Sequence, residues 1–222
     1  WVMDNLMVYA GGGTPYSDDL STSNMGSDSI VQALTLYQKL IQEKIMPSDT
    51  AQKTIPAETL FVSGKAAMYP MGGFEANQVI NDAEENGINI AFTSMPCDPN
   101  GNEINVQYAT GWAMTTTCQN KEAAWTFIKE SSFANEEMGK INARVGIPAN
   151  KNLANTIYAQ TKIGDVGFDN TYYTQHISKA HMNPWGGTLA SSGNIWTAMV
   201  QEVTLNDKDP AEVVKTNAQK IA

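Results

Sequence analysis

The sequence predicts an α/β fold that is rich in helices, with a mixed sheet covered by those helices. Apolar side chains recur at helical spacing over residues 28–43, which is typical of an amphipathic helix packed on a core. Short apolar stretches at residues 65–71, 88–95 and 108–117 are separated by helical patterns and predict strands. Only one pair of these stretches resembles a hairpin, and such alternation of strands and helices is typical of α/β proteins.

The apolar segment 1–10 ends in the run Gly11-Gly12-Gly13, which predicts a surface turn. A phosphate-binding loop would need a Lys-Ser or Lys-Thr pair after these glycines, and none is present. We therefore interpret the glycines as a turn.

Helices of the first half are bounded by recognisable start and stop residues. Ser27 or Asp28 is the predicted N-cap of the helix over residues 28–43, and Pro47 closes it. A shorter helix ends at Gly64, and another covers residues 75–85.

The helix predicted at residues 120–131 has a clear apolar side. Ala124, Phe127 and Ile128 are expected to point inward, and Trp125 is expected to lie in the core. Further helices are predicted at residues 135–143, 172–180 and 195–205. The last helix is the best marked, because Asp209 is a good N-cap and Pro210 suits the first helical position.

Composition excludes several functions. The 222 residues carry a net charge of −9, and Arg144 is the only arginine. Nucleic acids and anionic membrane surfaces are therefore poor partners, because both require clustered basic residues. No apolar stretch approaches the length of about 20 residues that a membrane-spanning helix needs.

Cysteine and histidine are too few to predict a disulfide scaffold or a metal site. Cys97 and Cys118 are the only cysteines, and His176 and His181 the only histidines. The two histidines are five residues apart, which is not the spacing of a helical zinc pair. We expect neither a metal nor a cofactor.

Motifs for catalysis are also missing. The sequence has no Gly-x-Ser-x-Gly pentapeptide, and Cys97 has no histidine near it in the sequence. The acidic pairs Glu84-Glu85 and Glu136-Glu137 are typical of solvated helix faces. We therefore predict no catalytic residue and no enzyme activity.

Aromatic side chains beside glycines are the most informative pattern. Open α/β sheets bind ligands at the ends of strands, where a glycine lets the ligand approach the backbone. An aromatic face beside the glycine offers a platform for the C–H groups of a sugar ring. The aromatic residues placed in this way are Phe74, Trp112, Trp185 and Trp196.

Five motifs, in order, resemble the extracellular solute-binding proteins of sugar ABC transporters, the maltose-binding-protein-like family. They are FVSGKAAM at residues 61–68, GGF at 72–74, GWAM at 111–114, NKEAAWTFI at 120–128 and GIPA at 146–149. This resemblance implies a lobe of the type II periplasmic-binding-protein kind. It also implies that the sequence corresponds to the C-terminal part of a two-lobed receptor that closes on a sugar.

The resemblance assigns regions and ligand contacts. Residues 1–116 correspond to the core of the C-terminal lobe, 117–177 to a helical segment of the N-terminal lobe, and 178–222 to the return with the terminal helices. The implied ligand-binding residues are Trp1, Gly73, Phe74, Gly111, Trp112, Trp185 and Trp196. Phe74 stands where relatives more often have tryptophan, which would change the strength of stacking or the preferred sugar.

The resemblance further implies a monomer that delivers carbohydrate to the permease subunits of an ABC importer. Its expected location is extracellular, as a membrane-anchored lipoprotein, or periplasmic. Two alternatives stay open at this point. One is a receptor for another small solute, such as a peptide or polyamine. The other is a carbohydrate-active enzyme, which would need two opposed carboxylates.

Overall fold

The computed structural model describes residues 2–161, 169–185 and 189–221. Within these ranges the elements are α1 (Val2–Ala10), α2 (Asp28–Gln42), α3 (Asp49–Thr54), α4 (Ala57–Val62), α5 (Ala76–Glu85), β1 (Val106–Gln107), α6 (Lys121–Lys129), α7 (Glu136–Asn142), α8 (Lys151–Leu153), α9 (Asn170–His176), β2 (His181–Met182), α10 (Ala190–Thr204) and α11 (Pro210–Asn217). Short 3₁₀ turns cover Gly73–Glu75, Ile177–Lys179 and Ala218–Lys220, and π-helical turns cover Glu130–Ala134 and Ala154–Tyr158.

The main core is built by α1, α2, α10 and α11, which join the first and last parts of the sequence. On α2 the buried residues are Ile30, Ala33, Leu34 and Tyr37, so the predicted amphipathic spacing is confirmed. The facing side of α10 buries Trp196, Met199, Val200 and Val203. Apolar contacts between these faces hold the four helices together.

A smaller cluster surrounds α5. This helix buries Ala76, Val79, Ile80 and Ala83. The extended segments around it contribute half-buried side chains at Tyr69, Met71, Ile88, Ile90 and Phe92. This cluster carries the glycine turn that precedes α5 and so positions the candidate site.

The three predicted strands do not form a ladder in the part of the chain that the structure describes. The described sheet is a parallel pair, with Val106 opposite His181 and Gln107 opposite Met182, instead of the mixed sheet expected. Ile88, Ile90 and Phe92 still alternate with exposed residues, as strand side chains do. Their side chains pack on α5, but among residues 2–161, 169–185 and 189–221 no strand pairs with their backbone.

The burial predicted for α6 is wrong for its two largest side chains. Trp125 is 52% exposed and Phe127 is 57% exposed, whereas Ala124 and Ile128 are half-buried. The helix starts as predicted, because the Asn120 side chain accepts a hydrogen bond from the Ala123 N–H at 3.1 Å. Among the described elements its main contacts lie with the π-helical turn that follows it, and Trp125 and Phe127 remain largely exposed.

Helix ends elsewhere follow the sequence signals. Asp209 accepts a hydrogen bond from the Glu212 N–H at 3.0 Å, and Pro210 occupies the first turn of α11. The helix predicted at residues 195–205 begins earlier, at Ala190.

The glycine run after α1 has a steric role. A Cβ on Gly11 would lie 1.8 Å from the carbonyl oxygen of Ser29, and one on Gly13 would lie 2.0 Å from the Ser29 Oγ. Only glycine therefore lets this turn approach the start of α2 so closely. This contact supports its interpretation as a structural turn.

None of the described helices is both long and apolar enough to cross a membrane. The two cysteines, Cys97 and Cys118, are free thiols.

Candidate functional site

The 3₁₀ turn Gly73–Glu75 presents Phe74 at the surface, with 45% of the residue exposed. Glu75 fixes this turn, because its carboxylate accepts the Gly72 N–H at 3.0 Å and the Tyr69 hydroxyl at 3.0 Å. A Cβ on Gly72 would lie 2.2 Å from the ring of Phe74, so the ring requires a glycine beside it. The aromatic face is therefore held in place by its own turn.

The Tyr69 hydroxyl keeps its proton well above neutral pH. Burial raises the pKa of the Tyr69 hydroxyl above its ordinary value of 10.0, and the negative charge of Glu75 raises that pKa further. The hydroxyl therefore remains a donor to the Glu75 carboxylate.

Tyr173 on α9 lies against Gly73. A Cβ built on Gly73 would meet the Tyr173 ring at 3.4 Å. Tyr172 stands at right angles to Tyr173 with ring centroids 5.6 Å apart. Sequence reasoning missed both tyrosines. The available signal was the pair of adjacent aromatic residues just after Asp169, which caps α9 by accepting the Thr171 N–H at 2.8 Å.

Trp112 belongs to a second exposed aromatic pair. It is 61% exposed and meets Phe127 of α6 edge-on, with centroids 5.2 Å apart. Apart from Gly111 and its two chain neighbours, no atom of the described residues lies within 4 Å of a Cβ built on Gly111. Trp112 and Phe127 thus offer an open aromatic surface.

Trp196 lies in the core and not at a surface. It is 1% exposed, so it has no face available to a ligand, and its predicted role as a ligand contact is not supported by this position. Trp185 is half-buried and stacks on it with centroids 6.4 Å apart. The edge of Tyr16 meets Trp185 at 6.3 Å. Trp1, also predicted to bind ligand, lies outside the described residues.

A separate cleft of about 500 Å³ lies where the end of α1, the glycine turn, the loop 98–104 and β2 meet. Its described lining consists of Tyr9, Gly12, Gly13, Thr14, Asp98, Gly101, Asn102, Glu103, Ile104, Lys179 and His181. The predicted ligand contacts do not appear among these residues.

Charged groups in this cleft are mostly paired with one another. Glu103 Oε1 lies 3.2 Å from Lys179 Nζ and 3.5 Å from His176 Nε2. The Asn102 side chain lowers the pKa of Asp98 by hydrogen bonding. Burial lowers the pKa of His181, although Asp98 opposes this, and the His181 ring stacks on Tyr9 at 4.0 Å. Among the described residues, no group of three or more acidic, histidine or cysteine side chains could hold a metal ion.

Residues 1–130 match the family model described as bacterial extracellular solute-binding protein. The chain belongs to this family. The resemblance to extracellular solute-binding proteins that the sequence motifs indicated is thereby confirmed. No curated protein matches the chain significantly by sequence.

Solved structures with the same fold include two from bacteria. One is an ABC substrate-binding protein from Listeria monocytogenes in complex with cycloalternan, with 18% identity and a TM-score of 0.66. The other is the maltose-maltodextrin binding protein of Alicyclobacillus acidocaldarius, with 18% identity and a TM-score of 0.71. Each match covers 99% of this chain, but only 55% and 59% of those two chains respectively. The α/β binding-protein fold class is confirmed, and the chain spans less than two thirds of the length of either structure.

Proposed function

We propose that this solute-binding protein chain forms the carbohydrate-binding lobe of a receptor for an ABC importer. The observation that carries the proposal is the exposed ring of Phe74 on its glycine turn. An aromatic ring held rigidly beside a bare backbone suits the apolar face of a sugar, whose hydroxyls then reach polar groups nearby. The names of the two structural relatives support the same ligand class. One is in complex with cycloalternan, and the other is a maltose-maltodextrin binding protein.

Ligand contacts are proposed from position and exposure. Phe74 supplies stacking and Gly73 supplies close approach. Gly111 with Trp112, beside Phe127, and Trp185, beside Trp196, are proposed as further contacts at separate places in the fold, and Trp1 remains a candidate from the sequence alone. Trp196 supports Trp185 from beneath through their stack.

The division of the chain is proposed as the sequence motifs imply it. Residues 1–116 and 178–222 form the C-terminal lobe, and residues 117–177 belong to the N-terminal lobe. At the end of the second segment, α9 packs on Gly73 and α5, so its contacts lie with the C-terminal lobe. The open faces of α6, with Trp125 and Phe127 exposed, support this division, because such side chains are usually covered by other parts of a protein.

The protein binds its ligand without chemical conversion and passes it, as a monomer, to permease subunits. It works outside the cytoplasmic membrane, as a lipoprotein or in a periplasm. Incubation with maltodextrins should therefore leave their chain lengths unchanged in chromatography. Shortened products would indicate an enzyme and refute this part of the proposal.

Isothermal titration of the intact two-lobed receptor tests the carbohydrate assignment, because one lobe supplies only part of the cleft. The panel contains mono- and oligosaccharides, including linear and cyclic glucose oligosaccharides. Phe74→Ala should weaken binding by about tenfold, which corresponds to the loss of about 1.4 kcal/mol of stacking. Leu36→Ala is the matched control, because Leu36 is an apolar residue of α2 with a similar exposure of 42%. Absence of binding across the panel, or equal affinities for Phe74→Ala and the control, would overturn the proposal.

A further inference from the structure

We propose that Tyr173 is a positioning residue for Phe74, and that α9 is held in place for this task by Glu103. The inference rests on the proposed function, because it concerns the same aromatic platform. It assigns a role to residues that do not themselves need to touch the ligand.

Tyr173 contacts both elements that flank Phe74, the glycine turn before it and α5 after it. Its ring lies against Gly73, the residue that precedes Phe74, as the 3.4 Å distance from the built Cβ shows. The same ring packs on the cluster of Ala76 and Ile80 in α5, the helix that follows Phe74. A rigid ring wedged between the turn and the helix fixes the angle at which Phe74 leaves the surface.

The position of Tyr173 depends in turn on its neighbours in α9. Tyr172 meets Tyr173 edge-on at 5.6 Å, and His176 stacks on Tyr172 at 4.2 Å. His176 Nδ1 lies 2.7 Å from the Tyr172 carbonyl oxygen. Since a carbonyl oxygen accepts only, Nδ1 carries the proton, and this bond fixes the orientation of the imidazole ring.

Glu103 holds the turn that follows the C-terminal end of α9. Its Oε1 accepts a hydrogen bond from Lys179 Nζ at 3.2 Å, in the 3₁₀ turn after α9. His176 Nε2 lies 3.5 Å from the same oxygen and attracts it only when both ring nitrogens carry protons. The ion pair with Lys179 therefore ties the turn after α9 to the loop before β1. The Asp169 cap fixes the other end of the helix.

Fluorine NMR on protein labelled with 4-fluorophenylalanine measures the position of Phe74 directly, without a ligand. The six phenylalanines give separate signals, and Phe74→Leu identifies the one from Phe74. In Tyr173→Ala this signal should shift and sharpen as the ring gains freedom. Tyr173→Phe should leave it unchanged and add a seventh signal, from the new phenylalanine at position 173. Tyr173→Leu fills much of the same space without a flat ring, so it should also shift the signal if Tyr173→Ala proves too unstable to study.

The same variants are titrated with maltotetraose. Tyr173→Ala and Tyr173→Leu should bind about tenfold more weakly, since loss of one aromatic packing contact of up to about 1.5 kcal/mol has that effect. Tyr173→Phe should bind within about twofold of the unmodified protein, because the ring and not the hydroxyl carries the contact.

Glu103→Gln tests whether the carboxylate of Glu103 holds α9 in place. It should move the Phe74 signal in the direction of Tyr173→Ala and reduce affinity about two- to threefold, as expected for a partly exposed ion pair. Glu202→Gln is the matched control. Glu202 pairs with Lys208 at 3.0 Å, and its side-chain exposure is 29% against 28% for Glu103. This control should leave the signal and the affinity unchanged.

The outcomes separate the two proposals. A Phe74 signal that is unchanged in Tyr173→Ala and Tyr173→Leu overturns the positioning role, whatever the sugar affinity. An unmodified protein that binds no oligosaccharide overturns the carbohydrate assignment, while the NMR result still decides the role of Tyr173. Equal effects of Glu103→Gln and Glu202→Gln overturn the anchoring role of Glu103.

Discussion

Replacing Trp196 with alanine should destabilise the protein strongly, although the sequence motifs place this residue in the ligand cleft. Its side chain is 1% exposed, within the core formed by α1, α2, α10 and α11. Burying an indole removes about 150–250 Å² from water, worth roughly 4–6 kcal/mol at about 25 cal/mol per Å². Measured losses for such truncations are about 3–5 kcal/mol, because the site partly relaxes.

Urea unfolding followed by circular dichroism measures this loss. The midpoint should fall, and thermal unfolding should shift by roughly 6–20 °C, since each kcal/mol moves the melting temperature of a domain of this size by about 2–4 °C. Trp125→Ala is the matched control. With 52% of Trp125 exposed, its truncation should cost less than about 1 kcal/mol.

The reasoning would be refuted by a loss below about 1 kcal/mol for Trp196→Ala. A variant that kept its stability but lost sugar affinity would instead return Trp196 to the ligand site. It would mean that the ring faces a cleft in the binding-competent state.

Three further changes test other parts of the structure. Gly11→Ala should lower the melting temperature, because its new Cβ would meet the Ser29 carbonyl oxygen at 1.8 Å and force the backbone apart; an unchanged melting temperature would contradict the close approach. Tyr16→Phe should preserve or raise stability in urea unfolding, because the Tyr16 hydroxyl is buried with no hydrogen-bond partner in the described structure; a clear loss would reveal a partner. Burial raises the pKa of Glu58, and the neighbouring Asp82 raises it further. The folded state therefore holds this proton more tightly than the unfolded state, so stability falls as the pH rises from the unfolded value of 4.5 through the raised folded value. Glu58→Gln should reduce this fall in unfolding measurements between pH 4 and pH 7, and identical pH profiles would show that Glu58 does not contribute.

Helices were the most predictable part of the fold, because their signals are local. The apolar spacing on α2 and the cap at Asp209 depend only on residues within a few turns. Strands depend on a distant partner for their hydrogen bonds. Ile88, Ile90 and Phe92 show the alternation of a strand, but alternation alone does not supply a neighbour.

Prediction of the site was likewise limited to residues whose signals are local in the sequence. Phe74 could be identified because the glycines that expose it are adjacent in the sequence. Tyr173 could not, since it is brought to Gly73 from about 100 residues away. Trp125 and Trp196 show that an aromatic residue on an amphipathic helix gives little indication of its own burial, which depends on what packs against each face.

The main core has a consequence for synthesis on the ribosome. About 150 residues separate the end of α2 from the start of α10, yet their apolar faces complete one another. At about 5–20 residues per second, α2 waits roughly 8–30 s before its partner is made. During that interval α1 can cover part of the apolar face of α2, but the part that packs on α10 and α11 is open to chaperones or to unwanted association. Export in an unfolded state would tolerate this delay well, because the chain needs no core until its last helix is complete.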